Sequence, residues 1–284
     1  HLDSPFGGFS EEQRAFLRSE QRKLPGKIAD LCLREGCDLM LLAGDIFDTP
    51  KPRREAVEDV KQALSRCPVP VFIAPGNHDF ITPGSPWVEE SWPENVHIFT
   101  GTLESVTLED LDCRVYGGGY RSMDCPPLLE GFHAEGTEKY CIGLLHGDPT
   151  QRESPCCPVT AAQVRESGLS YLALGHIHAV GSFRAGRTLC AWPGCPMGRG
   201  WDETGEKGVY LVTLEELPVP NKKVERYSQV QRDKLYKAFG YTYEDIMDAI
   251  VPMARLGAEK ISSMGTDIPL AVLSEKHQPL FNYF

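Results

Sequence analysis

Four short polar motifs carry the residues able to do chemistry: Gly44-Asp45-Ile46-Phe47-Asp48, Gly76-Asn77-His78-Asp79, His146-Gly147-Asp148 and Gly175-His176-Ile177-His178. The chain opens on a further histidine, His1, so five of its eight histidines belong to this set. Asp and Asn oxygens mixed with neutral imidazoles suit Mn2+, Fe2+ or Zn2+ better than Ca2+. The donors outnumber what one ion needs, so two ions sharing a carboxylate is the economical arrangement. Two metals roughly 3.5–4 Å apart clamp the attacking and leaving oxygens of an in-line phosphoryl displacement. A His-x-His pair on a loop can send its two imidazoles to different ions. Each motif alone is a weak signal, since a lone Asp after a strand is usually a helix cap. The ordered series, each member at the end of an apolar run, is specific.

Those apolar runs are the elements that must position the motifs. Asp38–Gly44 (DLMLLAG), Val69–Gly76 (VPVFIAPG), Tyr140–Gly147 (YCIGLLHG) and Tyr171–Gly175 (YLALG) read as buried strands. Ser10 and Gln13 form a capping-box pattern that opens a helical stretch, which Pro25 is expected to interrupt before Leu33. Arg53–Cys67 and Thr160–Glu166 have helical character. Val180–Phe183, Thr188–Trp192 and Gly208–Leu214 read as further strands, and Gly117-Gly118-Gly119 as a turn joining strands. Buried strands alternating with helices predict an α/β architecture. Sites in such sheets lie at the carboxyl ends of the strands, where the polar motifs fall.

The 284 residues are 41% hydrophobic and 24% charged, an ordinary globular composition that can bury a core without disulfide or metal staples. No apolar run approaches the roughly 18–20 residues that span a bilayer, so a membrane span is excluded. Residues 1–216 hold 20 basic and 32 acidic side chains, and residues 217–284 hold 9 and 8. Such an acidic N-terminal region is a poor autonomous binder of nucleic acid, because phosphate contacts supply most non-specific affinity. The ten cysteines include no C-x-x-C pair. With no secretion-signal pattern after His1, they read as free thiols of a reducing, cytoplasmic compartment. Opening on His1 rather than Met, the chain reads as starting inside a longer product or after processing.

The motif series resembles the calcineurin-like metallophosphoesterases over residues 1–216. The strings GDIFDTPKP, APGNHD, LLHGD and GHIH are similar to its bacterial DNA-repair exonuclease branch, the SbcD-like proteins. The opening HLDSPFGG resembles that branch's first motif, normally Asp-x-His-Leu, of which the first two residues are missing. WPGCPMGRGWDE, residues 192–203, resembles the glycine-rich loop after its GHxH motif.

The resemblance implies an α/β fold, a metallophosphoesterase β-sandwich flanked by helices. It implies two divalent ions, Mn2+ foremost, with Fe2+, Zn2+ and Mg2+ as alternatives. Asp45 would bridge both ions. His1 and His178 would serve one ion together with an upstream Asp, and without that Asp this first site would be compromised. Asn77, His146 and His176 would serve the other. His78 would stand beside the phosphate as general acid or charge stabiliser, while Asp48 and Asp79 would orient ligand imidazoles from behind. A metal-bound hydroxide would attack the phosphodiester. The implied substrate is DNA, with nucleotides or other small phosphoesters as the alternative. The implied partners are a coiled-coil ATPase subunit and a second copy of the chain in a homodimer. A catalytically silent scaffold or a chimeric fragment is a further alternative.

Residues 217–284 tell a different story. They begin with a Pro- and charge-rich linker, and their SMGTDIPLAVLS string resembles the central region of the glutamate synthase large subunit. The resemblance stops short of any flavin, iron–sulfur or glutaminase part, and implies a short, mostly helical appendage without chemistry of its own. Trp87 and Trp92 read as core or lid packing rather than base-stacking platforms. His97, His133 and His277 lie outside every motif and read as surface or satisfied core residues.

Overall fold

Ser10 starts the first helix as expected: its side chain accepts from Gln13 N–H at 3.2 Å, and Gln13 Oε1 accepts from Ser10 N–H at 2.9 Å. In this computed structural model, which describes residues 1–200 and 203–214, helix α1 then runs unbroken over Glu11–Arg34. Pro25 therefore does not interrupt it. A mid-helix proline costs about 3 kcal/mol, but Gln21, Ala29 and Cys32 on either side of it are buried. Packing of that face against helix α2 (Arg54–Ser65) outweighs the local penalty.

Strands β1 (Met40–Leu42), β2 (Val71–Ile73) and β3 (Val96–Ile98) form a parallel three-stranded sheet in that order. A second sheet holds β4 (Glu104–Leu108), β5 (Cys113–Gly118), β6 (Tyr140–His146), β7 (Tyr171–Gly175), β8 (Gly181–Ala185) and β9 (Thr188–Trp192). Its order is β4-β5-β6-β7-β9-β8, with β5, β6, β7 and β9 parallel and the two edge strands antiparallel. Short helices α3 (Pro86–Glu89) and α4 (Ala161–Glu166) complete the set.

Side-chain alternation explains the layering. Val71 and Ile73 point to the helices α1 and α2, while Phe72 and Ala74 join Phe99, Val115, Ile142 and Leu144 between the two sheets. Cys141 and Leu145 of β6, with Leu172 and Leu174 of β7, pack outward with Val164 of α4. The central strands are thus buried on both faces, which is why they read as continuous apolar runs. The result is the expected α/β fold, with sheets flanked by helices.

Two further expectations are corrected. Gly208–Leu214 forms no strand: β9 already lies between β7 and β8, and Val209, Tyr210, Leu211 and Val212 are exposed. Gly117 and Gly118 are not a turn but the end of β5, where a Cβ on Gly117 would overlap the Phe99 ring. Strands β3, β4 and β5 were not foreseen. The appendage expected over residues 217–284 lies outside the described residues.

Candidate metal centre

Four strand ends deliver the motifs to one place. Asp45 lies just beyond β1 and Asn77 just beyond β2; His146 is the last residue of β6, and His176 follows β7. A glycine precedes three of these four donors for a shared steric reason. A Cβ on Gly44 would stand 2.7 Å from both Ala74 O and His146 Nδ1; one on Gly76 would overlap the Asp45 carboxylate, and one on Gly175 would overlap Ala43 O. Only glycine lets the strand ends approach so closely. Two donors themselves take left-handed backbone, Asp45 at φ 51° and His176 at φ 85°. Each such residue costs about 1–3 kcal/mol and persists where its surroundings over-determine it.

Asp79 does part of that determining. Its fully buried carboxylate accepts from the backbone N–H of Asp45 (3.1 Å), Ile46 (2.8 Å), Phe47 (3.2 Å) and Gly76 (2.7 Å). Asp79 was expected to orient imidazoles; instead these bonds clamp the main chains of two ligand loops together. Burial and the nearby Asp45 charge push its carboxyl up to about 6. Asp48 Oδ1 lies 3.1 Å from His1 Nδ1 and 3.8 Å from His78 Nδ1.

Asp45 sits at the centre. Its Oδ2 is 3.4 Å from His1 Nε2 and 3.3 Å from His146 Nε2. On one side stand His1 and His178, Nε2 to Nε2 at 3.1 Å. On the other, Asn77 Oδ1 is 2.9 Å from His146 Nε2 and 3.3 Å from His176 Nδ1. The structure thus gathers His1, Asp45, Asn77, His146, His176 and His178 around one carboxylate. His78 joins from the rim: its ring stacks edge-on against His1 at 4.6 Å, and its backbone N–H donates to Asp45 Oδ1 at 2.9 Å. His1, Asp45 and His78 each offer a donor within 4.8 Å of the others, so His78 stands nearer the ligand set than expected. Its side chain is 40% exposed against 7% for His1 and 8% for Asp45, which suits a group facing substrate.

The imidazole partners decide where lone pairs point. Nδ1 of His146 faces Ala43 O at 2.8 Å, Nδ1 of His178 faces Glu203 Oε1 at 2.5 Å, and Nδ1 of His1 faces Asp48. Carbonyl and carboxylate oxygens only accept, so Nδ1 of His146 and His178 carries the proton. Nε2 of each then turns a lone pair inward, as a metal ligand requires. Electron pairs facing one another at about 3 Å repel unless a cation or proton lies between them. The donor set therefore fits divalent metal.

The same contacts shift the proton affinities of the donors. Burial alone would raise the Asp45 carboxyl, but His146 and the His78 N–H outweigh it and hold it down to about 2. Burial would lower His146, yet Asp45 raises it overall. Burial and the neighbouring His146 lower His176. Metal ligation needs the deprotonated forms of these groups.

Glu203 and Arg199 were missed by sequence reasoning. Their segment was noted only as a glycine-rich loop, and neither residue has a motif of its own. Trp87 is buried, donates to Asp79 O at 2.5 Å and stacks on Trp92 at 5.1 Å, as packing residues do. His97 packs edge-on against Phe99 at 4.8 Å, and His133 Nδ1 meets Glu166 O at 2.7 Å, both away from the site. His277 lies outside the described residues.

This chain is similar to known proteins over two separate stretches. The family model for calcineurin-like phosphoesterases matches residues 8–180, and that for the glutamate synthase central domain matches residues 234–284. The uncharacterized metallophosphoesterase YhaO of Bacillus subtilis (strain 168) is 30% identical over 294 residues, covering 98% of this chain and 70% of that one. The large chain of NADPH glutamate synthase from the same organism is 58% identical over 48 residues, 17% of this chain and 3% of that one. The crystal structure of TT1561 from Thermus thermophilus aligns with TM-score 0.42 at 15% identity, covering 60% of this chain and 82% of that one. With residues 8–180 matched to a family that normally binds a dimetal centre, and its donors converging on Asp45, the chain belongs to the calcineurin-like phosphoesterases.

Proposed function

We propose that this chain is a dimetal-dependent phosphodiesterase acting on DNA, an exonuclease of the SbcD-like branch. The observation that carries the chemistry is one carboxylate, Asp45, flanked by two separate groups of inward-facing donors. The resemblance of GDIFDTPKP, APGNHD, LLHGD and GHIH supports DNA as substrate. Two divalent ions, Mn2+ foremost, supply when bound a lowered water pKa and positive charge for the phosphoryl oxygens.

His1, Asp45 and His178 would hold one ion; Asp45, Asn77, His146 and His176 the other. Asp79 and the three motif glycines keep the loops at the spacing this requires. His78, exposed at the rim, meets the phosphodiester and passes a ring proton to the leaving oxygen. Asp48 Oδ1 stands 3.8 Å from His78 Nδ1, beside that ring. A coiled-coil ATPase partner would supply the basic DNA surface that the acidic residues 1–216 lack, and the working unit would be a homodimer in the cytoplasm.

A second reading, hydrolysis of nucleotides or small phosphoesters, is favoured by that same acidity. The test compares Mn2+-dependent cleavage of a labelled single-stranded oligonucleotide with that of bis-p-nitrophenyl phosphate. Faster turnover of DNA is expected. Turnover of the small ester alone would favour the second reading, and inactivity on both in a folded, Mn2+-loaded protein would sink both.

A further inference from the structure

We propose that Glu203, braced by Arg199, is the positioning residue for His178 and thereby builds one of the two metal sites. The inference rests on the metal reading above and adds two residues from the chain after β9. Glu203 Oε1 lies 2.5 Å from His178 Nδ1 and accepts from Arg199 NH2 at 3.1 Å. Its Oε2 accepts from the Arg199 backbone N–H at 2.8 Å and from Cys195 Sγ at 3.7 Å. The carboxylate is 11% exposed, so all these partners act with little competition from water.

Both oxygens of the Glu203 carboxylate accept from Arg199, so the proton of a neutral His178 sits on Nδ1 and the Nε2 lone pair faces His1 Nε2, 3.1 Å away. Arg199 NH2 is also 3.1 Å from His178 Nδ1, yet it cannot donate to a protonated nitrogen; Glu203 Oε1 is its acceptor. Arg199 NH1 reaches Asp48 Oδ1 at 3.4 Å, the same oxygen that lies 3.1 Å from His1 Nδ1. One guanidinium thus ties together the carboxylate behind His178 and the carboxylate behind His1. The opposite site is built differently, since His146 Nδ1 is held by the main-chain Ala43 O. Losing the side-chain latch therefore weakens one ion and spares the other.

The test uses the full chain with Glu203→Ala, Glu203→Gln and Arg199→Ala. In metal-free protein at a pH where imidazoles are neutral, 15N NMR of the ring nitrogens reads the His178 tautomer. Wild type is expected to show Nδ1–H, and Glu203→Ala a shift toward Nε2–H. In Mn2+ titrations Glu203→Ala and Arg199→Ala should weaken one of the two sites by about 10–100-fold and leave the other unchanged. Glu203→Gln, whose amide oxygen still accepts, should fall between and covers the case in which the alanine variant does not fold. An unchanged tautomer, with both Mn2+ affinities at wild-type values, would overturn the proposal. Absence of Mn2+ binding in wild type would overturn the metal reading instead, and the tautomer would still decide whether Glu203 positions His178.

Discussion

The carboxylate of Asp79 accepts the backbone N–H of Asp45 at 3.1 Å, so one buried acid sets the main chain on which the other presents its oxygens. Asp45 adopts φ 51° there, a conformation few non-glycine residues keep unaided. The same Asp79 also accepts from Gly76, immediately before Asn77. Through these two bonds a single side chain sets the separation of the ligand loops after β1 and β2. The metal centre is therefore as much a property of its main-chain clamp as of its ligands.

Replacing Asp79 tests that clamp. Asp79→Ala leaves four N–H donors, three of them buried, without an acceptor, each buried one worth about 1–3 kcal/mol. A loss of at least about 3 kcal/mol is expected, read as a lower urea midpoint with unchanged slope. Asp79→Asn keeps an acceptor oxygen and should lose less. Equal stability of all three proteins would refute the clamp.

Asp45→Asn removes the charge shared by both donor groups. Mn2+-dependent hydrolysis should fall beyond the roughly 100-fold that losing a supporting partner costs, together with ion binding. His176→Ala should likewise abolish hydrolysis. Calorimetric Mn2+ titration beside a phosphodiester assay checks both, and full activity in either variant would remove that residue from the site.

His78→Ala separates binding from chemistry. The side chain is 40% exposed, so both ions should still bind while turnover drops about 100- to 10,000-fold, the usual range for a general acid. Loss of an ion in this variant would instead make His78 a ligand, as its closeness to His1 and Asp45 allows.

Gly175→Ala probes the convergence of strand ends. The added methyl overlaps Ala43 O and stands 2.9 Å from His146 Nδ1. Overpacking of this kind costs about 1–3 kcal/mol. Mn2+ affinity should fall with it, because the displaced carbonyl is the one that orients His146. A variant as stable and as metal-competent as wild type would show that the strand ends have room.

By its resemblance to the Asp-x-His-Leu motif, the chain extended by an Asp-Xaa dipeptide ahead of His1 would add a carboxylate to the His1–His178 side. The His1 nitrogen, which donates to Asp45 O at 2.5 Å, keeps that bond as a peptide N–H. Tighter Mn2+ binding at one site and faster hydrolysis are expected. Unchanged titrations and rates would show that the site gains nothing from the extra ligand.

Much of the fold was legible because burial writes itself into strands. Val71–Ile73 is apolar throughout since one face meets helices and the other the second sheet. β4 escaped notice because, at the sheet edge, it exposes Glu104, Ser105 and Thr107. β5 was hidden by glycines that make room for Phe99 rather than a turn. The Pro25 break failed because packing on both sides of the proline exceeded its local cost.

By itself the sequence determined the donor chemistry: carboxylate, amide and imidazole at four strand ends, with glycines wherever backbones must close in. Residue type alone dictates that, because ligand preference and steric allowance are local properties. Only the tertiary structure decided which donors share Asp45, which nitrogen of His146 and His178 bears the proton, and that Arg199 and Glu203 stand behind the centre. His1 meets His178 across 177 residues, and His178 meets Glu203 across 25. Contacts over such separations are created by the packing of sheets and loops, and no spacing along the chain encodes them.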